Sequence, residues 1–291
     1  MESRLVSDED RSTPGTLYLV STPIGNMGDF SFRAVEVLGA VAVVLAEDTR
    51  HSRRLLDHYQ ITTPLVSHHE HNAARTTPAV MARLTRGESV ALISDAGTPL
   101  LSDPGARLVT AAIAAGVPVV PVPGASALLA ALVASGLPAE PFTFFGFLAR
   151  KGKERAAQLA TIGALPHSAV IYEAPGRVAA TLVDLAAAAG ADRHACVARE
   201  ITKRFEELRR GTLSELATYY EESSPRGEVV IIVGGAAVAT VDAASLAYGA
   251  RELREQRLPA RDIVRALMDR GASRNLAYRL AHADTTAEDL E

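Results

Sequence analysis

The feature that most constrains this chain is an alternation in which short apolar, β-branched runs recur between stretches of helical periodicity. Thr16–Ser21, Val41–Leu45, Ser89–Ser94 and Val117–Val122 are the apolar runs of the first half. Amphipathic stretches at Ser31–Leu38, Thr49–Tyr59, Thr76–Arg86, Ala106–Ala115 and Ser126–Ser135 lie between or after them. Strands that arrive one at a time with a helix between them pair in parallel, and a parallel sheet needs both faces covered. The pattern predicts an α/β fold with a parallel-rich sheet. Gly136–Pro141 breaks it, and the aromatics Phe142, Phe144, Phe145 and Phe147 follow, so a domain boundary is placed after Pro138.

A second α/β domain follows, with strand candidates at Phe142–Phe147, Ala169–Tyr172, Ala195–Ala198 and Val229–Val233 and helices at Lys153–Ile162, Arg177–Ala188 and Ser214–Glu221. Beyond Thr240 strand signals stop. Ser245–Gln256, Ala260–Asp269 and Ser273–Ala281 read as helices, the last with Ser273 as N-cap. The expected organisation is a loose tail over 1–15, α/β domains over 16–138 and 139–240, and a small C-terminal helical appendage over 241–291.

With 291 residues, 48% hydrophobic and 22% charged, the chain can bury a sizeable core. No apolar run is long enough to cross a bilayer, and Met1–Thr13 lacks the apolar core of a secretory signal, so a soluble cytoplasmic protein without a membrane role is expected. Cys196 is the only cysteine, which excludes an internal disulfide and a Cys-based zinc cage; a buried structural thiol is expected. The net charge of −4 argues against a uniformly basic surface, yet a nucleic-acid partner needs only a local one.

Three loops concentrate the chemistry. Ser94-Asp95-Ala96-Gly97-Thr98-Pro99 through Asp103-Pro104-Gly105 follows an apolar strand, and its glycines and prolines make it stiff and rich in exposed backbone donors. Asp103 is read as the N-cap of the next helix, with Pro104 in its first turn. Val122-Pro123-Gly124-Ala125-Ser126-Ala127 and Thr22-Pro23-Ile24-Gly25-Asn26-Met27-Gly28-Asp29 also follow strands and open helical segments. Singly, each is an ordinary connection; together they place a ligand cleft at the carboxyl edge of the sheet.

Known nucleotide motifs fail. Gly25 and Gly28 do not make the dinucleotide fingerprint. Gly146 to Glu154 has one residue too many between its glycines for a P-loop, and Glu154 stands where a hydroxyl is needed. Ser126 lacks the second glycine of a nucleophile elbow. On an extended segment, His68-His69-Glu70-His71-Asn72 would present His69 and His71 on one face, a metal reading that competes with the wall of a substrate cleft and with solvated surface. Ala46-Glu47-Asp48-Thr49-Arg50-His51 and Arg199-Glu200-Ile201-Thr202-Lys203 place charges at strand ends, with Asp48 also a credible cap. Eight arginines between Arg251 and Arg279 face four acids, an excess suited to phosphates or to ion pairs along the helices.

These segments, with Leu19–Asn26, Ser135-Gly136-Leu137-Pro138, Phe145-Gly146-Phe147-Leu148, Tyr172-Glu173-Ala174-Pro175-Gly176-Arg177 and Gly227-Glu228-Val229-Val230, resemble the ribosomal small-subunit RNA methyltransferase I family of the tetrapyrrole-methylase superfamily. The likeness runs from Leu17 to Val233 and more weakly into the tail; Ala149-Arg150 departs from it where the family has a proline. The resemblance implies two α/β domains with S-adenosylmethionine in the cleft between them, a homodimer, and 2′-O-methylation of a cytidine in the decoding region of small-subunit rRNA. Carried over, cofactor contacts fall on Pro23, Asp95, Ala96, Gly97, Thr98, Ala125, Ser126, Tyr172, Glu173 and Gly227. A ribose hydroxyl is a poor nucleophile, so a proton acceptor and an organising cation are expected: Glu47 or Asp48 for the first, Arg50 or Lys203 for the second. No metal is assigned. The alternatives are the same chemistry on a tetrapyrrole or diphthamide precursor, and a binding protein for S-adenosylmethionine or RNA that does no chemistry.

Overall fold

The computed structural model describes residues 13–236 and 243–283, which form ten strands and eleven helices in two compact units, Met1–Gly235 and Ala236–Glu291. Most of the expected N-terminal tail and the expected boundary at residue 240 lie outside the described residues.

In the first unit, β1 (Leu17–Val20), β2 (Val43–Ala46), β3 (Leu65–Ser67), β4 (Val90–Ile93) and β5 (Val119–Val122) form a five-stranded sheet in the order β3-β2-β4-β1-β5. All four pairings are parallel. The helices between these strands are α1 (Phe32–Ala40), α2 (Thr49–His58), α3 (Ala73–Thr85) and α4 (Ala106–Ala114). Alternate strand residues face opposite layers. Val20, Val44, Ala46, Ala91 and Ile93 pack with Leu38, Leu55 and Leu56 of α1 and α2, while Leu17, Val43, Leu45, Val90 and Leu92 pack with Val80, Leu84 and Leu108 of α3 and α4. Burial on both faces explains why β2 and β4 read as unbroken apolar runs.

Five further strands, β6 (Phe142–Phe147), β7 (Ser168–Glu173), β8 (His194–Arg199), β9 (Glu207–Thr212) and β10 (Val229–Val233), form a second sheet in the order β6-β7-β10-β8-β9. Only β6–β7 is parallel. One face carries α6 (Gly152–Ala164), α7 (Val178–Ala189) and α8 (Leu213–Glu222) over Ile171, Val197 and Ile231. Leu128, Ala131 and Leu132 of α5 (Ala127–Ala134), the helix that leaves β5, cover the other face against Val170, Cys196 and Ile232. The helix that follows the first sheet is thus part of the second sheet's core, and truncating Leu132 to Ala would cost about 2–5 kcal/mol. Cys196 is fully buried, as expected, and burial pushes its thiol pKa up.

The second unit holds α9 (Ala243–Glu255), α10 (Ala260–Asp269) and α11 (Arg274–His282) around Leu246, Ala250, Ile263, Leu267 and Ala277. Ser273 caps α11, its Oγ accepting from the N–H of Leu276. Among the described residues no helix is long and apolar enough to cross a membrane.

Two local expectations are corrected. Asp103 is not a helix cap: α4 begins at Ala106 behind Gly105, and no side chain caps it. His68–His71 is not extended, because β3 ends at Ser67 and the chain turns into α3. His68 is fully buried with its Nδ1 2.8 Å from Thr76 Oγ1; the His69 and His71 rings do come within 5.9 Å of each other, but among the described residues they are not joined by a third ligating side chain.

Candidate active site

Parallel pairing brings the carboxyl ends of β4, β1 and β5 side by side, so the three loops meet at one edge. They are stitched together. The Thr22 N–H donates to Gly97 O at 2.9 Å, and the Gly97 N–H returns to Thr22 O at 3.1 Å. Ser94 Oγ donates to Gly97 O at 2.7 Å, Thr22 Oγ1 to Ser94 O at 3.1 Å, and Thr98 Oγ1 to Ala125 O at 3.4 Å. Left-handed backbone at Leu100, Ser102, Glu200 and Thr202 adds strain on both sides of the opening. Conformations of this kind cost about 1–3 kcal/mol each and persist where the surroundings over-determine them.

Between these loops and the second sheet lies a cavity of about 430 Å³. Its first wall is Ile24, Asp95, Ala96, Gly97, Thr98, Leu101, Ser102, Asp103, Ser126 and Ala127. The facing wall is Phe147, Tyr172, Glu173, Ala174, Pro175, Ile201, Gly227, Glu228, Val229 and Val230. The lining holds four acids, Asp95, Asp103, Glu173 and Glu228, and no arginine, lysine or histidine. Glu173 and Glu228 face cations outside the lining, Arg177 and Lys203, which leaves Asp95 and Asp103 to disfavour a phosphate and to suit a cationic ligand with apolar parts.

Of the ten expected cofactor residues, Asp95, Ala96, Gly97, Thr98, Ser126, Tyr172, Glu173 and Gly227 line this cavity. Ala125 is held behind it through its carbonyl. Pro23 lines a neighbouring hollow of about 200 Å³, to which Asp95 also belongs. Glu173 is 2% exposed, and its carboxylate is occupied: Thr181 Oγ1 donates at 2.6 Å, the Ala174 N–H at 2.8 Å, and Arg177 Nε lies 3.4 Å away. Glu173 therefore holds the wall that it also forms.

The four expected catalytic residues divide. Asp48 caps α2, and the Arg50 N–H at 2.8 Å holds its carboxyl below the usual range, which makes it a poor proton acceptor. Glu47 and Arg50 are exposed beside that cap. The Lys203 Nζ donates to Glu200 Oε1 at 2.8 Å and to Glu228 Oε2 at 2.9 Å; burial opposes its charge, but the two carboxylates outweigh it and its pKa ends above the ordinary value. The stem of Lys203 crosses Gly25, where a Cβ would lie 2.3 Å from Lys203 Cγ. The N–H of Glu228 returns to Glu200 Oε1 at 3.0 Å, and a Cβ on Gly227, which has φ +83°, would meet that oxygen at 2.1 Å. Bare backbone at these two glycines lets the clamp tie the β1 loop to the rim of the second sheet.

Sequence reasoning missed the position of Asp103. Free of any cap, it lines the cavity, and its pKa is raised to about 6 by burial first and then by Glu47 and Asp95. A carboxylate of that basicity is ionised near neutrality and accepts a proton more readily than an ordinary one. Its place after Pro99 in a motif-rich loop was the available signal. Phe147 was also missed: 55% exposed and 5.7 Å from the Tyr172 ring, it offers an aromatic face at the rim.

Residues 16–217 match the model of the tetrapyrrole (corrin/porphyrin) methylases. Over 272 residues the chain is 48% identical to the ribosomal RNA small subunit methyltransferase I of Xylella fastidiosa, covering 92% of this chain and 99% of that one. Identity to the Synechocystis enzyme of the same name is 45% over 271 residues, 93% of each chain. Among solved structures, the fold resembles uroporphyrin-III C-methyltransferase of Thermus thermophilus complexed with S-adenosylhomocysteine, with TM-score 0.56 and 20% identity over 76% of this chain and 97% of that one. Diphthine synthase superposes with TM-score 0.60 at 13% identity, covering 76% and 89%.

Proposed function

The chain belongs to the tetrapyrrole (corrin/porphyrin) methylase family, and on that premise we propose that it transfers a methyl group from S-adenosylmethionine to the 2′-hydroxyl of a cytidine in the decoding region of small-subunit rRNA. The observation that carries the reading is the acid-lined cavity at the edge of three interlocked loops. Its lack of basic residues fits a cationic cofactor and not a nucleoside polyphosphate. The acceptor class is supported by the relatives at 45–48% identity, which are methyltransferases of small-subunit ribosomal RNA.

When bound, S-adenosylmethionine supplies a methyl group activated on a positive sulfonium. Asp95 to Thr98 and Ser126 would hold it from the first sheet, and Tyr172, Glu173 and Gly227 from the second. Stiff loops suit the in-line approach that methyl transfer requires, and such positioning is worth roughly 7–11 kcal/mol in favourable cases. Asp103 is the preferred proton acceptor for the attacking hydroxyl, with exposed Glu47 beside it; the Asp48 carboxylate is committed to its cap. Lys203 and Arg50 act as positioning cations, Lys203 by closing the rim through Glu200 and Glu228. The resemblance also supports a homodimer working in the cytoplasm, where ribosomal subunits are found; light scattering on the purified protein tests the dimer.

The deciding experiment incubates the protein and labelled S-adenosylmethionine with unmethylated small subunits, naked rRNA and a tetrapyrrole precursor, and maps the product by mass spectrometry. A single ribose methylation on cytidine is expected. Label on a base, or only on the tetrapyrrole, overturns the reading.

A further inference from the structure

The hollow beside the acid-lined cavity has a use not yet assigned. Thr22, Pro23, Gly25 and Met27 of the β1 loop form one side and His51, Ser52, Arg54 and Leu55 of α2 the other, with Ser94 and Asp95 between. Ser52 is 2% exposed, and its Oγ has no hydrogen-bond partner. A buried hydroxyl left unpaired is disfavoured and needs a reason. Arg53 and Arg54 are exposed and make no ion pair among the described residues. Of these two only Arg54 lines the hollow, so α2 presents one free guanidinium group and one orphan hydroxyl to it, and Asp95 in its lining is also a wall of the cofactor cavity.

We propose that this hollow is the acceptor-nucleotide subsite, which takes the ribose-phosphate of an RNA strand with Arg54 and His51 toward the phosphodiester and Ser52 toward the sugar. The inference rests on the reading of the chain as an RNA methyltransferase. Charge sets the orientation: Asp95 repels a phosphate, so the phosphodiester belongs at the Arg54 end and a sugar hydroxyl at the Asp95 end, next to the methyl donor. Size agrees. At about 200 Å³ the hollow is smaller than the roughly 300–1,000 Å³ of sites for whole drug-sized ligands, so it holds a fragment of a polymer and not a macrocycle.

Steady-state methylation of unmethylated small subunits by wild type, Arg54→Ala, Arg54→Lys and Ser52→Ala tests this, alongside calorimetric cofactor binding and thermal melting. Arg54→Ala should raise KM for the subunits about tenfold and flatten its salt dependence, as expected for one lost charged phosphate contact. Arg54→Lys should recover most of that loss. Ser52→Ala should raise the same KM about threefold without lowering Tm, because the hydroxyl has no partner to lose in the free protein. Cofactor affinity should stay within about twofold of wild type throughout. An unchanged KM in Arg54→Ala with wild-type turnover intact overturns the subsite alone, as does a rise in cofactor Kd that tracks KM or a fall in the Tm of Ser52→Ala. Wild-type protein that leaves the subunits unmethylated overturns the RNA reading and the subsite with it.

Discussion

The two hollows at the carboxyl edge of the parallel sheet share Asp95 and differ in almost everything else. The larger is lined by four acids and no base; the smaller carries His51 and Arg54. Their difference follows from which elements reach them: the β4 loop and the start of β10 bring Asp95, Asp103 and Glu228, whereas the first turns of α2 bring the basic side chains. One sheet edge can therefore present opposite potentials to two ligands that must meet, a cationic donor and an anionic strand, without either site neutralising the other.

If the acid character of the larger cavity does chemistry as well as binding, Asp103→Asn is the most damaging conservative change available. Methylation should fall by about 10²-fold or more, within the range for loss of a general base, and by far more than the roughly few-fold loss of cofactor affinity that removing one acid of the lining brings. Because the base acts ionised, the wild-type rate should rise with pH through about 6, and the variant should lose that limb. Stability moves the other way. A carboxyl whose folded pKa is raised favours the fold at low pH and loses that contribution as pH rises through about 6, so Asp103→Asn should melt higher than wild type at pH 7–8 and converge with it below its ordinary pKa of 3.8. Urea titrations at three pH values check the sign.

Glu173 tests whether every acid of the cavity serves the ligand. Its carboxylate is consumed by Thr181, Ala174 and Arg177, so Glu173→Ala should cost about 2–4 kcal/mol of stability by leaving buried partners unpaired. Intact stability with lost cofactor binding would return Glu173 to the group of direct contacts.

How much of this was legible differs between the two sheets. The first announced itself because β2 and β4 are buried on both faces and β1 and β5, though only partly buried, are also short apolar runs, and the loops at their carboxyl ends could be placed on one edge from the alternation alone. In the second, Glu207–Thr212 carries Glu207, Arg209 and Arg210 and gave no strand signal; it is held as an edge strand by Arg199 pairing with Glu207 and by Arg209 over the Tyr219 ring, contacts that exist only after folding. The edge strand β3 is three residues long, too short for a period. The site was legible as a set of loops. Its division into two hollows of opposite charge was not, since that depends on which residues of Thr22–Asp29 and Thr49–His58 face each other.

Smaller effects sharpen the boundary between the hollows. Lys203→Met leaves Glu200 and Glu228 facing each other at the cavity rim and should weaken cofactor binding about tenfold, read by calorimetry. Thr98→Val removes the hydroxyl that donates to Ala125 O and accepts from Ser21 Oγ, both long contacts, and should cost about 1 kcal/mol in melting experiments with at most a few-fold loss of activity.

The division of labour itself is best tested by initial-rate kinetics in which S-adenosylmethionine and small subunits are varied independently for two variants side by side, Gly227→Ala and Arg54→Ala. The first places a Cβ 2.1 Å from Glu200 Oε1 in the wall of the acid cavity; the second removes a cation from the neighbouring hollow. The expected result is that Gly227→Ala raises the Michaelis constant for S-adenosylmethionine alone and Arg54→Ala that for the subunits alone. Either variant raising both constants equally would show a single undivided site and refute the separation of donor and acceptor at Asp95.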